Sequence, residues 1–238
     1  MKTSNRFKNY QMPGILAGLI LMTVLMSACS KDDNEFIIEG EARVMVVNAA
    51  SGSEAQDFYI ENSKINPEPL AYSQSTAYIT TDAGDSRKAE FKNSANATIN
   101  FTGYVNLAPN ENYTFFYTAK ADGSGNSSAV FQDDKTTPSA NKAKIRFVNL
   151  AEGLSNANLL VIGGLTFASN VAFGSASNFA EVDPGTFNMQ TALSSSTSTF
   201  VNLGSFTLAA GKIYTIYTSG SLTGSAQTAI SAKIITHN

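Results

Sequence analysis

Ala42-Arg43-Val44-Met45-Val46-Val47-Asn48 lines up, residue for residue, with Ala143-Lys144-Ile145-Arg146-Phe147-Val148-Asn149 at an offset of 101 residues. Without a gap the same offset pairs Asp57-Phe58-Tyr59-Ile60 with Asn158-Leu159-Leu160-Val161, and Leu70-Ala71-Tyr72 with Val171-Ala172-Phe173. It goes on to pair Tyr78 with Phe179, Asp82-Ala83-Gly84 with Asp183-Pro184-Gly185, Leu107-Ala108 with Leu208-Ala209, and Tyr113-Thr114 with Tyr214-Thr215. A self-match of that extent is an internal duplication, and a copy of about a hundred residues is far longer than a solenoid or propeller repeat and long enough to bury its own core.

Inside each copy the apolar residues alternate: Val44 and Val46, Phe58 and Ile60, Val105 and Leu107, then Ile145 and Phe147, Leu159 and Val161, Tyr214 and Ile216. Period two predicts strands with one face inward. Turn chemistry separates them, as at Ala49-Ala50-Ser51-Gly52-Ser53, Asp82-Ala83-Gly84-Asp85 and Asp183-Pro184-Gly185, where Gly84 and Gly185 are expected to supply a positive φ. About seven short strands in some ninety residues predict an all-β chain of two tandem immunoglobulin-like β-sandwich domains. The expected boundaries are repeat 1 at 41–131, repeat 2 at 143–238, and between them a polar linker, 132–142, carrying Pro138 and no sizeable apolar residue. The cysteine and tryptophan signature of antibody domains is absent, so the strand order is left open.

The strand Arg43-Val44-Met45-Val46-Val47-Asn48-Ala49, then Asp57-Phe58-Tyr59-Ile60, then Asp82-Ala83-Gly84, then Leu107-Ala108-Pro109-Asn110-Glu111-Asn112-Tyr113-Thr114 resembles the domain-of-unknown-function 4397 family. The second copy carries Val148-Asn149, Asp183-Pro184-Gly185 and Leu208-Ala209-Ala210-Gly211-Lys212-Ile213-Tyr214-Thr215. Two departures stand out: Asn110 where the closing motif has glycine, and Asn158 where the first copy has Asp57. The resemblance implies exported, often repeated, β-rich domains of bacterial envelope proteins, and it implies no activity.

The N-terminus is read as an address. Lys2, Arg6 and Lys8 precede an apolar stretch, Gly14 to Met26, of 13 residues, short of the roughly 20 a spanning helix requires. Positive head, apolar middle and small residues before a cut are the order of a secretory signal, expected here over 1–28. Leu25-Met26-Ser27-Ala28-Cys29 resembles the lipobox of bacterial lipoproteins, which would make Cys29, the chain's single cysteine, the lipid attachment site. The alternative is an ordinary signal peptide with Cys29 placed by chance. With no second cysteine there is no internal disulfide, and a stable anchor takes two or more acyl chains. The tether, 29–40, includes Ser30-Lys31-Asp32-Asp33-Asn34-Glu35, which resembles the acidic signals that send Bacteroidetes lipoproteins to the outer face of the outer membrane. Lys31, Asp32 and Asp33 would then form an export signal, the plainer reading being a solvated linker. Fully extended, about ten tether residues reach about 30 Å.

Removal of the signal would take three cations and no acid, leaving 13 basic residues against 19 acidic ones. Nucleic-acid binding asks for a basic patch, and no Lys/Arg cluster occurs. The one histidine, His237, stands next to the C-terminus, where chains fray, a poor base for a catalytic triad or a metal site. No G-x-S-x-G elbow or phosphate loop is found. Ser139-Ala140-Asn141-Lys142 has S-x-x-K spacing but lies in the linker without companion motifs. Asp82 with Asp85, and Asp133 with Asp134, lack the spacing of a calcium loop. Tyr72, Tyr78 and Tyr104 suit stacking on sugar rings or, more plainly, cross-strand packing. The asparagine sequons Asn96-Ala97-Thr98, Asn100-Phe101-Thr102, Asn112-Tyr113-Thr114 and Asn126-Ser127-Ser128 are read as incidental to the composition.

The expectation is a non-enzymatic lipoprotein with no cofactor and no metal, held at the outer membrane by Cys29, facing the cell exterior, and serving as a structural, adhesion or ligand-binding module. Its partners would be the membrane, through the anchor, and a glycan or envelope protein. The alternatives are a glycan or small-ligand receptor component of an envelope uptake system, and a hydrolase using acids on strand ends.

Overall fold

The computed structural model describes residues 40–196 and 200–237; Cys29, Lys31, Asp32 and Asp33 lie outside the described residues. The first copy contains β1 (Glu41–Asn48), β2 (Gln56–Ile60), β3 (Ser63–Lys64), β4 (Ile79–Asp82), β5 (Gly84–Asn93), β6 (Ile99–Leu107), β7 (Asn112–Ala119) and β8 (Asn126–Gln132). The second contains β9 (Ala143–Asn149), β10 (Asn156–Val161), β11 (Thr166–Ala172), β12 (Ser175–Ala176), β13 (Ala180–Val182), β14 (Gly185–Leu193), β15 (Phe200–Leu208), β16 (Ile213–Ser219) and β17 (Ser231–Thr236).

The protein is all-β. In the first copy a sheet ordered β4-β1-β7-β8 faces one ordered β3-β2-β5-β6. In the second, β12-β9-β16-β17, with β13 also on β9, faces β11-β10-β14-β15. The opening strand of each copy is interior and runs parallel to a late one, β1 with β7 and β9 with β16. Phe58, Phe91, Phe115 and Tyr117 fill the first core, with Phe58 4.6 Å from Phe91 and 4.8 Å from Phe115 between ring centroids. Ile145, Phe147, Leu159, Met189 and Ile216 fill the second.

A third apolar cluster joins the copies: Met45, Val47 and Phe116 from the first meet Val148, Leu150, Tyr217 and Ile235 from the second. Val44 and Val46 therefore point into their own sandwich while Met45 and Val47 point at the neighbour. All seven residues of β9 and of β16 are buried. One-faced alternation describes the outer sheets, whereas the inner sheets are covered on both sides, as in any strand pair sandwiched between layers. The result is four layers with the seam in the middle. Phe116 and Tyr217, equivalent at the repeat offset, meet edge-to-face across it at 5.3 Å, so the copies face each other about an approximate two-fold axis.

The repeated motifs turn out to be scaffold. Asn48 and Asn149 are wholly buried, and each donates from Nδ2 across its sandwich, to the Leu70 carbonyl at 3.0 Å and the Val171 carbonyl at 3.0 Å. Each accepts at Oδ1 from the amide two residues on, Ala50 at 3.1 Å and Ala151 at 3.3 Å. The Tyr113 hydroxyl accepts from Ala108 N–H at 3.0 Å and that of Tyr214 from Ala209 N–H at 3.1 Å, pinning the turn into the parallel strand. Asn110, at φ 64°, occupies the left-handed position that Gly211 fills at φ 76°; asparagine tolerates that region better than other residues with a side chain, which explains the departure from glycine. Gly84 and Gly185 have φ of 152° and 157°, where a side chain is strained. Asn149→Ala is expected to destabilise the fold by about 2–4 kcal/mol, because it strands buried carbonyls and an amide; a urea-melt cost below about 0.5 kcal/mol would remove the asparagine from this role.

The 132–142 segment is more than a solvated linker. Asp133 is 3% exposed, Ser139 N–H donates to Glu181 Oε1 at 2.7 Å, and Lys142 Nζ meets Asp183 Oδ1 at 2.7 Å. Polar composition hides this docking because its anchors are charged groups that find buried or cross-strand partners.

Candidate functional site

The seam has two ends of different chemistry. Gly40, the end of the linker and His237 lie at one, called the base here, since β1 and β9 both run away from it. The loops that follow those two strands lie at the other.

At the base, His237 is 2% exposed, so the expectation of a frayed terminus is overturned. The segment before it is β17, which pairs along its whole length with β16, and His237 N–H donates to the Ile213 carbonyl at 2.9 Å. Asp133 follows β8 in the same way, its N–H donating to the Asn112 carbonyl at 2.7 Å. The two residues are therefore counterparts, one ending each sandwich, and the approximate two-fold brings them together.

Donor and acceptor chemistry orients every proton around them. Arg146 has only donors: Nη2 reaches Asp133 Oδ1 at 2.6 Å, Nη1 the Gln132 carbonyl at 3.0 Å, and Nε Thr215 Oγ1 at 3.1 Å. Tyr78 donates to Asp133 Oδ2 at 2.8 Å, where Thr114 also donates at 2.7 Å. Its proton so placed, the Tyr78 oxygen accepts from His237 Nδ1 at 2.7 Å. A neutral imidazole protonated on Nδ1 accepts at Nε2, so Thr215, 2.7 Å away, donates there. Arg146, Thr215, His237, Tyr78 and Asp133 close a ring that crosses the seam twice. Arg146 is also stacked against Phe179 and Phe131, its guanidinium 4.6 and 5.5 Å from the ring centroids.

Electrostatics agree with those protonation states. Burial, outweighing the pull of Asp133, drops the His237 imidazole to about 4, so it is neutral near pH 7. Burial and the Asp133 charge push the Tyr78 hydroxyl well above its ordinary value. Burial lowers Arg146 from its usual range while Asp133 opposes the shift, and an arginine so paired stays charged. Thr215, His237 and Asp133 have the order of hydroxyl, imidazole and carboxylate, but Thr215 is wholly buried and its oxygen already accepts from Arg146, so a substrate has no approach. The geometry is that of a latch.

Beside the latch opens a groove of about 990 Å³ between β8 and the β12–β13 segment. Asp134 on its wall is engaged: Lys144 Nζ binds Asp134 Oδ2 at 3.0 Å and the Thr136 carbonyl at 2.8 Å, and hydrogen bonds from Thr136, with the lysine adding to them, hold the Asp134 carboxyl down at about 2. Lys142 Nζ is bound to Asp183 Oδ1 at 2.7 Å, and among the described residues no hydrogen bond joins it to the Ser139 hydroxyl. Among the described residues no group of three or more His, Cys, Asp or Glu stands close enough to hold a metal ion.

At the far end, a hollow of about 480 Å³ lies over the seam and one of about 300 Å³ over the first sandwich, with Ser51 and Asn126 lining both. Of the tyrosines suited to sugar stacking, Tyr72 bonds Ser219 Oγ across the seam at 2.8 Å, Tyr78 belongs to the latch, and Tyr104 is 73% exposed on the outer sheet. The hollows are not visible in the sequence because their residues come from loops and strand ends scattered along the chain, Ser51, Asn93, Asn126, Glu152 and Ser221 among them.

The family described as "Domain of unknown function (DUF4397)" matches residues 42–159, which supports the family resemblance across the first sandwich, the linker and into the second strand of the next. No curated protein matches the chain. A proposed cell adhesion protein from Bacteroides eggerthii, known from a crystal structure, aligns with 83% of this chain and 96% of its own at 11% identity, with a TM-score of 0.20; at that score the likeness carries no argument.

Proposed function

We propose that this chain is a non-enzymatic, lipid-anchored protein of the bacterial outer membrane, its two sandwiches acting as a rigid structural, adhesion or ligand-binding module that faces the cell exterior. The observation that carries this reading is the polarity of the molecule. Gly40, where the described chain begins, packs at the base against Pro109, and β1 leads away from it, so a tether through Cys29 would hold the base toward the membrane and present the far loops. His237, the one histidine of the sequence, is bound up in the latch with Asp133 and Tyr78.

The reading is tested by fractionation and protease shaving of intact cells carrying wild type, Cys29→Ala, or Asp32→Ala with Asp33→Ala. Wild type is expected in the membrane fraction and shaved, Cys29→Ala released, and the acidic double variant protected. A soluble or protected wild type would remove the anchor or the outward orientation. A second reading, a glycan or small-ligand receptor component of an envelope uptake system, draws on the hollows of the far end.

A further inference from the structure

We infer that the far loop face of the first sandwich is a binding site for a neutral sugar, seated in the smaller hollow and reaching into the seam hollow past Asn126. The inference rests on the proposal that this end is presented outward, and it adds the site and the ligand class.

The hollow is built rather than incidental. Gln56, 1% exposed, spans its floor, donating from Nε2 to the Glu54 carbonyl at 2.8 Å and accepting at Oε1 from Asn100 Nδ2 at 3.0 Å. Tyr117, also on the floor, is 1% exposed, and burial raises its hydroxyl to about 12 against an opposing hydrogen bond with Asn100. Amide and phenol are thereby fixed in place before any ligand arrives, which lowers the ordering cost of binding. Asn126 lines both hollows, and its amide has no hydrogen-bond partner among the described residues.

The duplication supplies a control. At the repeat offset Gln56, Asn93, Asn100 and Tyr117 correspond to Ala157, Ser194, Val201 and Thr218. The second sandwich forms the same sheets without this set, so the polar cluster is not something the fold requires. A group of buried and half-buried amides that the architecture can do without is the mark of a specific site.

Ligand class follows from the donors and acceptors. The smaller hollow is lined by hydroxyl, amide and backbone groups with Glu54 as its one charged member, and the seam hollow adds Ala49, Ala119 and Leu150 to its serines, threonines and Glu152. Carboxylates repel phosphate and carboxylate ligands, and they accept hydrogen bonds from sugar hydroxyls; amides do both jobs, donating and accepting. The hollows sit at the small end of ligand sites, a size for one to a few sugar rings.

The test uses the full-length chain on an array of neutral and acidic oligosaccharides, followed by calorimetric titration of the best neutral sugar with wild type, Asn126→Ala, Asn126→Trp and Tyr104→Ala. Asn126→Ala is expected to weaken binding about tenfold, the value of one or two polar contacts, Asn126→Trp to abolish it by blocking the junction of the two hollows, and Tyr104→Ala to leave it unchanged. Binding that survives Asn126→Trp, or that depends on Tyr104, would overturn the site. An array with no neutral hit, or acidic hits alone, would overturn the ligand class. Neither result touches the surface orientation, which the shaving assay reads independently.

Discussion

Asp133→Ala is expected to cost about 3–5 kcal/mol of stability, the range for leaving a buried charge without its partner. The Arg146 side chain is 3% exposed, so water cannot replace the carboxylate, and the same substitution strands the Tyr78 and Thr114 hydroxyls that donate to Oδ2. Removing both charges is a different matter. Met45 holds the position equivalent to Arg146 in the first copy and is buried at 4% exposure, so the seam accepts methionine there. Asp133→Leu combined with Arg146→Met is expected to recover the part of the loss that comes from the unpaired charge, since buried ion pairs are commonly replaceable by apolar groups of similar volume, while the stranded Tyr78 and Thr114 hydroxyls keep the double variant below wild type. Urea unfolding with m-values determined for each variant separates the cases. Equal losses in the single and double variants would mean that the ion pair is not what couples the charges to stability.

The latch also couples two bodies that hold separate cores. Beyond the loss in midpoint, Asp133→Ala should lower the apparent m-value as the two sandwiches begin to unfold separately, the usual departure from two-state behaviour when a domain interface weakens. An unchanged m-value would show that the apolar seam of Met45, Val47, Phe116 and Tyr217 is enough to keep the sandwiches cooperative.

The duplication was legible because it is written twice. Asn48 and Asn149 recur at the ends of matching strands, and the structure gives both the same three kinds of hydrogen bond. The paired Tyr-Thr dipeptides recur for a shared reason too: the tyrosines pin a turn and the threonines face the seam. Alternation was enough to give strands and layers, because each outer sheet must hide one face and wet the other.

What could not be read is everything that depends on how the copies meet. The run Val44-Met45-Val46-Val47 is apolar at consecutive positions, which already signals a strand covered on both faces, but the run does not say what does the covering. His237 and Asp133 each end a sandwich, 104 residues apart, off the offset that aligns the rest, so no self-comparison pairs them. They differ in chemistry because they meet each other: a two-fold arrangement with identical residues would oppose two carboxylates or two imidazoles, and the divergence of one copy from the other makes them complementary. The hollows at the far end are hidden for the opposite reason, since there the copies differ and the repeat alignment shows only unmatched polar residues.

Stability is expected to fall by about 3 kcal/mol as pH drops from about 6.5 to about 4 through His237 alone. In the unfolded chain a histidine titrates near 6.5, while burial holds the folded imidazole at about 4. Between those values the unfolded state binds a proton that the folded state does not, so stability rises with pH across the window and the contribution is complete above the unfolded value. The structural cause is the proton order of the ring. A protonated imidazole donates from both nitrogens, yet Nε2 must accept from Thr215, whose oxygen is committed to Arg146; the threonine would have to reverse, leaving its own proton without an acceptor in a buried site. Carboxylates elsewhere in the chain also titrate toward the acid end, so the measurement is a difference: urea midpoints for wild type and His237→Gln at intervals between about pH 4.5 and 7.5, a range that brackets most of this titration. Glutamine is expected to cost stability at the upper end, where the neutral ring is intact, and the gap between the two proteins should narrow toward the lower end. A gap that stays constant with pH would show that His237 titrates alike in the folded and unfolded chain, and the closed ring of hydrogen bonds would then not be what holds the base of the seam.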